Sequence, residues 1–269
     1  MSATLTRAAR QGGGFVAGGL IGALGGLIGL GGAEFRLPVL KGVFRLATLE
    51  AVIFNKAMSL LVVAVALLSR SGSIPWGEVW AHGAIVANLL AGSLLGAWFA
   101  AGKAIRLPER VLNTTIMLLL VGLALLLIAE QFFHLVPSGR ALFLDPLLQV
   151  VAGVAAGVFI GMVAALLGVA GGELLIPTIV LLWGADIKLA GSLSLAVSLP
   201  TMVVGFMRYR GAAAFEVLGR ERPLFLFMAA GSLVGAVIGG VALGWVPTDL
   251  LIVALALILL VSAVKVFKH

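Results

Sequence analysis

The sequence predicts an all-α polytopic membrane protein: two inverted-topology repeats, about eight hydrophobic segments, and one broken or re-entrant helical hairpin in each repeat. Three observations carry this. First, 62% of the 269 residues are hydrophobic and only 11% are charged, with a mean hydropathy of +1.21. Charged residues usually approach a quarter of a soluble globular chain, so the solvent this chain meets is lipid. Second, the sequence returns on itself at a fixed distance of 139 residues. Third, its basic residues collect on one side of a bilayer only if one segment in each half enters and leaves on the same side.

A spanning helix needs roughly 20 apolar residues. Such runs lie near 12–33, 47–68, 79–101, 111–133, 147–183, 187–207, 222–243 and 248–266. A closed barrel would show short alternating segments instead. The first run follows Arg7 and Arg10 and is similar to a signal peptide. No small-x-small cleavage site leads into a soluble domain, so the run is expected to be retained. The second run holds Asn55, Lys56 and Ser59, and the third holds Asn88 and the stretch AGSLLGA, with Trp76, Trp80 and Trp98 as interface or packing aromatics. The fifth run, 147–183, has 37 residues. As one helix it would be about 55 Å long at ~1.5 Å per residue, against a bilayer core of about 30 Å. A hairpin broken at Gly171-Gly172 fits; a straight helix does not. The sixth run contains Ser194, Ser198 and Pro200. Arg208, Tyr209, Arg210, Arg220 and Arg222 then read as a loop that sets topology.

The repeat rests on separated anchors. Glu34 and Glu173, Pro38 and Pro177, Gly72 and Gly211, and Pro108 and Pro247 are each 139 apart, and AGSLLGA at 91–97 returns as AGSLVGA at 230–236. The chain therefore divides into 1–139 and 140–269, two membrane repeats that make one transport domain. Internal duplication is common among secondary transporters, and channels carry it too.

Basic residues decide the orientation of the copies. With four plain crossings per half, one side receives 10 cations and the other 7. With a hairpin in each half, the side of the N-terminus holds Arg7, Arg10, Arg36, Lys41, Arg45, Lys103, Arg106, Arg110, Arg208, Arg210, Arg220, Arg222, Lys265 and Lys268. The opposite side keeps only Arg70, Arg140 and Lys188, a ratio of 14 to 3 with Lys56 inside a span. The positive-inside rule selects the second arrangement. An odd number of crossings per half makes the copies inverted, with both termini in the cytoplasm.

At the centre of each half stands one element: GLGGAEFRLP at 29–38 and GVAGGELLIP at 168–177. Glycine permits positive φ and close approach, and proline opposes continued helix, so a helix is expected to stop here at membrane depth. Backbone freed in lipid is tolerated only where it is buried in protein or lines a cavity, and paired broken segments mark the central site of inverted-repeat carriers. The alternative is tight helix packing through small residues, which Gly18/Gly22 and Gly153/Gly157/Gly161 support by their spacing. Both hold if the glycines before the break pack while the break binds.

These elements, each followed by a polar helix (ATLEAVIFNKAMSLL and AGSLSLAVSLPTMVV), resemble those of the TauE/SafE family of membrane proteins. The resemblance spans nearly the whole chain. Ala33 replaces the third glycine of the first copy and Ala170 the first glycine of the second, both still small. The resemblance implies movement of sulfite or organosulfonates such as sulfoacetate across the bacterial inner membrane. Neither direction nor the particular substrate follows from it.

Candidate binding residues are Gly31, Gly32, Ala33, Gly171 and Gly172 at the breaks, with Asn55, Lys56, Ser59, Ser194 and Ser198 on the polar helices. An ammonium in mid-span costs a few kcal/mol and usually has a functional partner; an anionic substrate is the natural one for Lys56, an ion pair with Glu34 or Glu50 the alternative. Asn55 and Ser59 lie four apart on one helix face and match Ser194 and Ser198 at the repeat distance. They fit hydrogen bonding to substrate oxygens or, alternatively, to a neighbouring helix. Glu34 and Glu173 would repel an anion if ionised. Burial favours the neutral carboxyl, so they are candidates for proton coupling, with a salt bridge to Arg36 or Arg208, or a cap on a half-helix N-terminus, as alternatives. Arg36 has Leu175 as its mate and is placed in neither site nor interface by sequence.

Other chemistry is not encoded. GLGGAE lacks the strand context of a dinucleotide loop, and the chain contains no P-loop. His82, His134 and His269 are scattered without a second ligand at i+4, so neither a metal nor another cofactor is expected. With no cysteine, disulfides and thiolate sites are excluded. The net charge of +7 sits at the ends of apolar runs rather than forming a nucleic-acid face. The expected partners are a small anionic substrate and the bilayer, with a homodimer permitted by the glycine faces. The reading is a carrier working by alternating access; the rivals are an anion channel of the same architecture, a carrier of a different organic acid, a membrane enzyme and a subunit without flux of its own.

Overall fold

The computed structural model describes residues 7–28, 32–70, 75–133, 141–143 and 145–242. Gly31, Gly72, His134, Arg140 and everything from 243 on, including the run 248–266, lie outside the described residues. Those described are helical, without strands: α1 (Arg7–Ile28), α2 (Ala33–Gly42), α3 (Thr48–Arg70), α4 (Trp76–Ala81), α5 (Gly83–Ala104), α6 (Glu109–Phe133), α7 (Pro146–Leu167), α8 (Gly172–Trp183), α9 (Ile187–Tyr209), a 3-10 turn at Ala213–Glu216, α10 (Val217–Arg220) and α11 (Arg222–Ala242). By length and composition, Thr48–Val65, Gly83–Ala104, Pro146–Leu167 and Leu189–Tyr209 can each cross a membrane. The pair Ala213–Arg220 and Arg222–Ile238, bent by 69°, makes a fifth if taken as one span. A shift of 139 carries the bounds of α1 onto those of α7 and the bounds of α3 onto those of α9.

The chain forms two compact units. One comprises Met1–Met58, Pro108–Gln131 and Ala213–His269; the other Ser59–Leu107 and Phe132–Ala212. Each draws on both halves of the sequence.

In the first unit α1 packs along α11. Gly14, Gly18 and Gly22 meet Leu224, Met228 and Ser232 in turn, so the helices run parallel. A Cβ on Gly18 would stand 2.2 Å from the Met228 carbonyl oxygen, which only glycine allows. In the second unit α7 packs along α5 in the same way: Gly157 abuts Leu89 and Ser93, and Gly96 abuts Val158. AGSLLGA and AGSLVGA are thus interface motifs, and the small-residue packing read from the spacing is present. Asn88 serves here too, donating to the Val150 carbonyl at 3.0 Å across α5 and α7.

α7 begins where Asp145 accepts the Leu147 N–H at 2.8 Å with Pro146 as the first helical residue, a favourable start. It ends at Gly168, φ 69°. α8 then turns back. Leu142, ahead of α7, donates its N–H to the Leu181 carbonyl at 2.7 Å, near the end of α8, and Trp183 reaches Gly153. At 12 residues, α8 is about 18 Å long, too short to cross. In the first unit the end of α2 likewise returns to the start of α1: Arg10 donates to the Phe44 carbonyl at 3.3 Å.

One expectation is corrected. Pro38 and Pro177 do not stop their helices; each sits at the sixth position, inside α2 and α8. Proline removes only its own N–H, which would have bonded the carbonyl four residues back, that of Glu34 or Glu173. One lost bond does not end a short helix whose flank is buried. The breaks are made by glycine alone.

Candidate functional site

Each break is built on a left-handed glycine. Gly32 (φ 68°) precedes α2 and Gly171 (φ 80°) precedes α8. Both lie against equivalent isoleucines: a Cβ on Gly32 would fall 2.5 Å from the Ile21 carbonyl oxygen, one on Gly171 3.1 Å from the Ile160 side chain. Neither half-helix receives a side-chain cap at its N-terminus. The first-turn N–H groups of a helix have no intrahelical acceptor and carry partial positive charge, which suits an anion.

In the first unit α3 brings Asn55 against this break, with Lys56 buried next to it in the chain. Asn55 donates to the Ala33 carbonyl at 2.9 Å and accepts from Arg36 Nη1 at 3.3 Å. Arg36, Asn55 and Lys56 are all 0% exposed. Glu34, in the first turn of α2, is also buried; its Oε1 finds no hydrogen-bond partner among the described residues, and its charge bears on Arg36. With all three ionised, Glu34, Arg36 and Lys56 carry a formal charge of +1. Sequence reasoning left Arg36 unassigned; the available signal was a cation in the first turn after a break, inside an apolar stretch. Glu50, the other acid considered for Lys56, pairs with Arg220 at 2.7 Å.

The second unit is acidic and hydroxylic. Glu173, Ser194 and Ser198 are buried beside Gly171 and Gly172. The Ser198 hydroxyl donates to the Ala170 carbonyl at 2.8 Å and that of Ser194 to the Gly191 carbonyl at 2.9 Å. Both donors are therefore committed to backbone, and Ser198 fixes the break itself. Ser59, one turn beyond Asn55 on α3, is buried in this unit. Ser93 and Thr201, not anticipated, share a buried hydrogen bond of 2.7 Å between α5 and α9.

A further cluster lies where α2 ends. Lys41 is buried rather than placed in a loop; its Nζ donates to Thr48 Oγ1 at 2.7 Å and to Asn113 Oδ1. Glu109 accepts from the Thr48 N–H at 3.1 Å and its hydroxyl at 2.9 Å. Those two bonds, the backbone one first, hold the Glu109 carboxyl below its usual range. α2 is thereby tied to the starts of α3 and α6.

A family model described as sulfite exporter TauE/SafE matches residues 2–127 and 153–268. The chain belongs to the TauE/SafE family. No curated protein and no solved structure matches it. Both matched stretches of this TauE/SafE chain contain a glycine break and its polar helix, so every candidate residue named above lies inside the family match. Membership and apolar helices together make it a multi-pass membrane protein of the transporter type.

Proposed function

We propose that this TauE/SafE protein is a secondary transporter that moves a small sulfur-containing anion, sulfite or an organosulfonate such as sulfoacetate, across the bacterial inner membrane by alternating access. The observation that carries the reading is the Arg36–Asn55 pair, fully buried at an uncapped half-helix N-terminus, with Lys56 also fully buried on the same helix as Asn55. Ionisable residues inside a membrane protein mark substrate or ion pathways by default, and the open N–H groups of α2 point to an anionic ligand. In this reading Arg36 and Lys56 supply charge, Asn55 holds Arg36 by its carbonyl oxygen, and the backbone at Gly32 and Ala33 supplies N–H donors. Gly31 is proposed with them in the first unit; Ser59, Gly171, Gly172, Ser194 and Ser198 are proposed as substrate-binding residues of the second.

The formal charge of +1 is neutralised by a monoanion. Protonating Glu34 raises it to +2, which suits a dianion, so proton and anion would bind together; Glu173 is its counterpart in the second repeat. The repeats, 1–139 and 140–269, are inverted in this proposal, with both termini cytoplasmic. Support comes from the helix bounds that coincide at the 139 shift and from the two hairpins that return to their own starting side.

The test is flux of labelled sulfite and sulfoacetate into proteoliposomes, with and without an imposed pH gradient. Saturable uptake showing counterflow, lost at least tenfold in Lys56→Ala, supports a carrier with its site on α3. Non-saturating flux supports a channel of the same architecture, and no flux of any sulfur oxyanion defeats the substrate assignment.

A further inference from the structure

At the C-terminal ends of α5 and α9, far from the breaks along the helices, four cations stand together by sequence and packing. Lys103 lies in the last turn of α5 and Arg106 just beyond it; Arg208 lies in the last turn of α9 and Arg210 just beyond it. The two helices run parallel: Ser93 bonds Thr201, and one end further on Gly102 meets Arg208. A Cβ on Gly102 would stand 3.1 Å from Arg208 Nε, so the guanidinium lies flat on bare helix. It stacks over the Trp98 ring at 4.8 Å, and one residue along the helix Lys103 Nζ lies 5.3 Å from the Phe99 ring. Trp98 and Phe99 are 52% and 60% exposed, aromatic surface at the edge of an apolar helix.

Among the described residues of their own unit, no carboxylate stands at the end of the helices that carries these cations. The described acids of this unit are Glu78, Asp145, Glu173 and Asp186. Glu78, Asp145 and Asp186 precede α5, α7 and α9. Because α5 runs parallel to both α7 and α9, those acids stand at the opposite end, about 30 Å away along helices of 22 or 23 residues. Glu173 is buried at the break. Arg208 makes no hydrogen bond or ion pair among the described residues, and its Nε is buried without one. The positions 139 away from Arg208, Arg210, Lys103 and Arg106 are Ser69, Ser71, Ala242 and Trp245, none of them charged.

We propose that the ends of α5 and α9 bind the phosphate headgroup of an anionic phospholipid, with Arg208 and Lys103 as the direct cations and Trp98 and Phe99 lying along its acyl chains. Positive residues near a leaflet attract anionic lipid in general. What makes a site here is the stacking that fixes two of the cations in place with their donors still open. The inference does not depend on the transport reading.

The experiment is native mass spectrometry of the full chain in detergent, titrated with phosphatidylglycerol and separately with phosphatidylcholine. Phosphatidylglycerol is expected to be retained preferentially. Arg208→Ala is expected to weaken that retention by roughly fivefold, the factor for about 1 kcal/mol per surface cation, and Lys103→Gln by a similar amount. Lys188→Gln, at the other end of α9, is expected to change nothing. Equal retention of the two lipids overturns the site, as does displacement of phosphatidylglycerol by inorganic phosphate, which would mark a generic anion patch. If Arg208→Ala is not monodisperse, Lys103→Gln decides, because its side chain is exposed and its loss leaves the fold intact.

Discussion

Gly32 and Gly171 hold equivalent places and similar left-handed conformations, yet alanine should hurt them unequally. Both replacements pay for a side chain at positive φ, about 1–2 kcal/mol. They differ in what the new Cβ meets. At Gly32 it would lie 2.5 Å from the Ile21 carbonyl oxygen and 2.9 Å from the Ile21 side chain. The oxygen belongs to the α1 backbone and cannot move without bending that helix, so overpacking adds a further ~1–3 kcal/mol. At Gly171 the nearest atom is the Cγ2 of Ile160 at 3.1 Å, followed by Ala164 Cβ at 3.5 Å; a side chain yields a few tenths of an ångström cheaply. Gly32→Ala should therefore cost about 2–5 kcal/mol and Gly171→Ala about 1–2. The chain has five tryptophans and no cysteine, so intrinsic fluorescence during heating of the detergent-solubilised protein is the readout. The expected result is a Tm loss for Gly32→Ala at least twice that for Gly171→Ala. Equal losses, or the reverse order, would refute the account of how the two breaks are packed.

Arg36→Lys keeps the charge but not the planar fork that reaches Asn55, and should weaken anion affinity roughly tenfold, read as KM in proteoliposomes, since a bond to a charged group is worth about 1.5–3 kcal/mol. Gly18→Ala should lower Tm sharply, because its Cβ meets the Met228 backbone, whereas Gly12→Ala, with nothing within 4 Å, should leave it unchanged or raise it. Glu109 has a depressed carboxyl pKa in the fold. Its contribution is present above the ordinary carboxyl range and is lost as pH falls through the lower folded value. Tm measured against pH should thus decline on acidification in the native protein and less steeply in Glu109→Gln.

The parts of this molecule that depend on local chemistry were legible. Gly32 and Gly171 announce their breaks because each precedes a glutamate and a proline at matching places 139 residues apart, and the length of 147–183 demands a fold-back. What depended on a distant partner was not. The spacing of Gly18 and Gly22 says that a helix comes close, but not that it is α11. Lys41 read as a topology-setting cation because its acceptors, Thr48 and Asn113, lie 7 and 72 residues away. Nor does the spacing of the serine pair say that Ser198 holds a carbonyl 28 residues back. The prolines misled because one missing donor looks, in sequence, like the end of a helix.

The pairing of α1 with α11 also has a consequence for how the chain is made. Gly14 emerges from the ribosome 210 residues before Leu224, the residue it packs on. At roughly 5–20 residues per second that is a delay of about 10–40 s, during which the glycine-lined face of α1 has only lipid beside it. The first half synthesised alone would lack that partner altogether. A gene truncated before codon 222 would therefore yield a membrane-inserted but unassembled product, a substrate for quality-control proteases rather than a half-sized transporter.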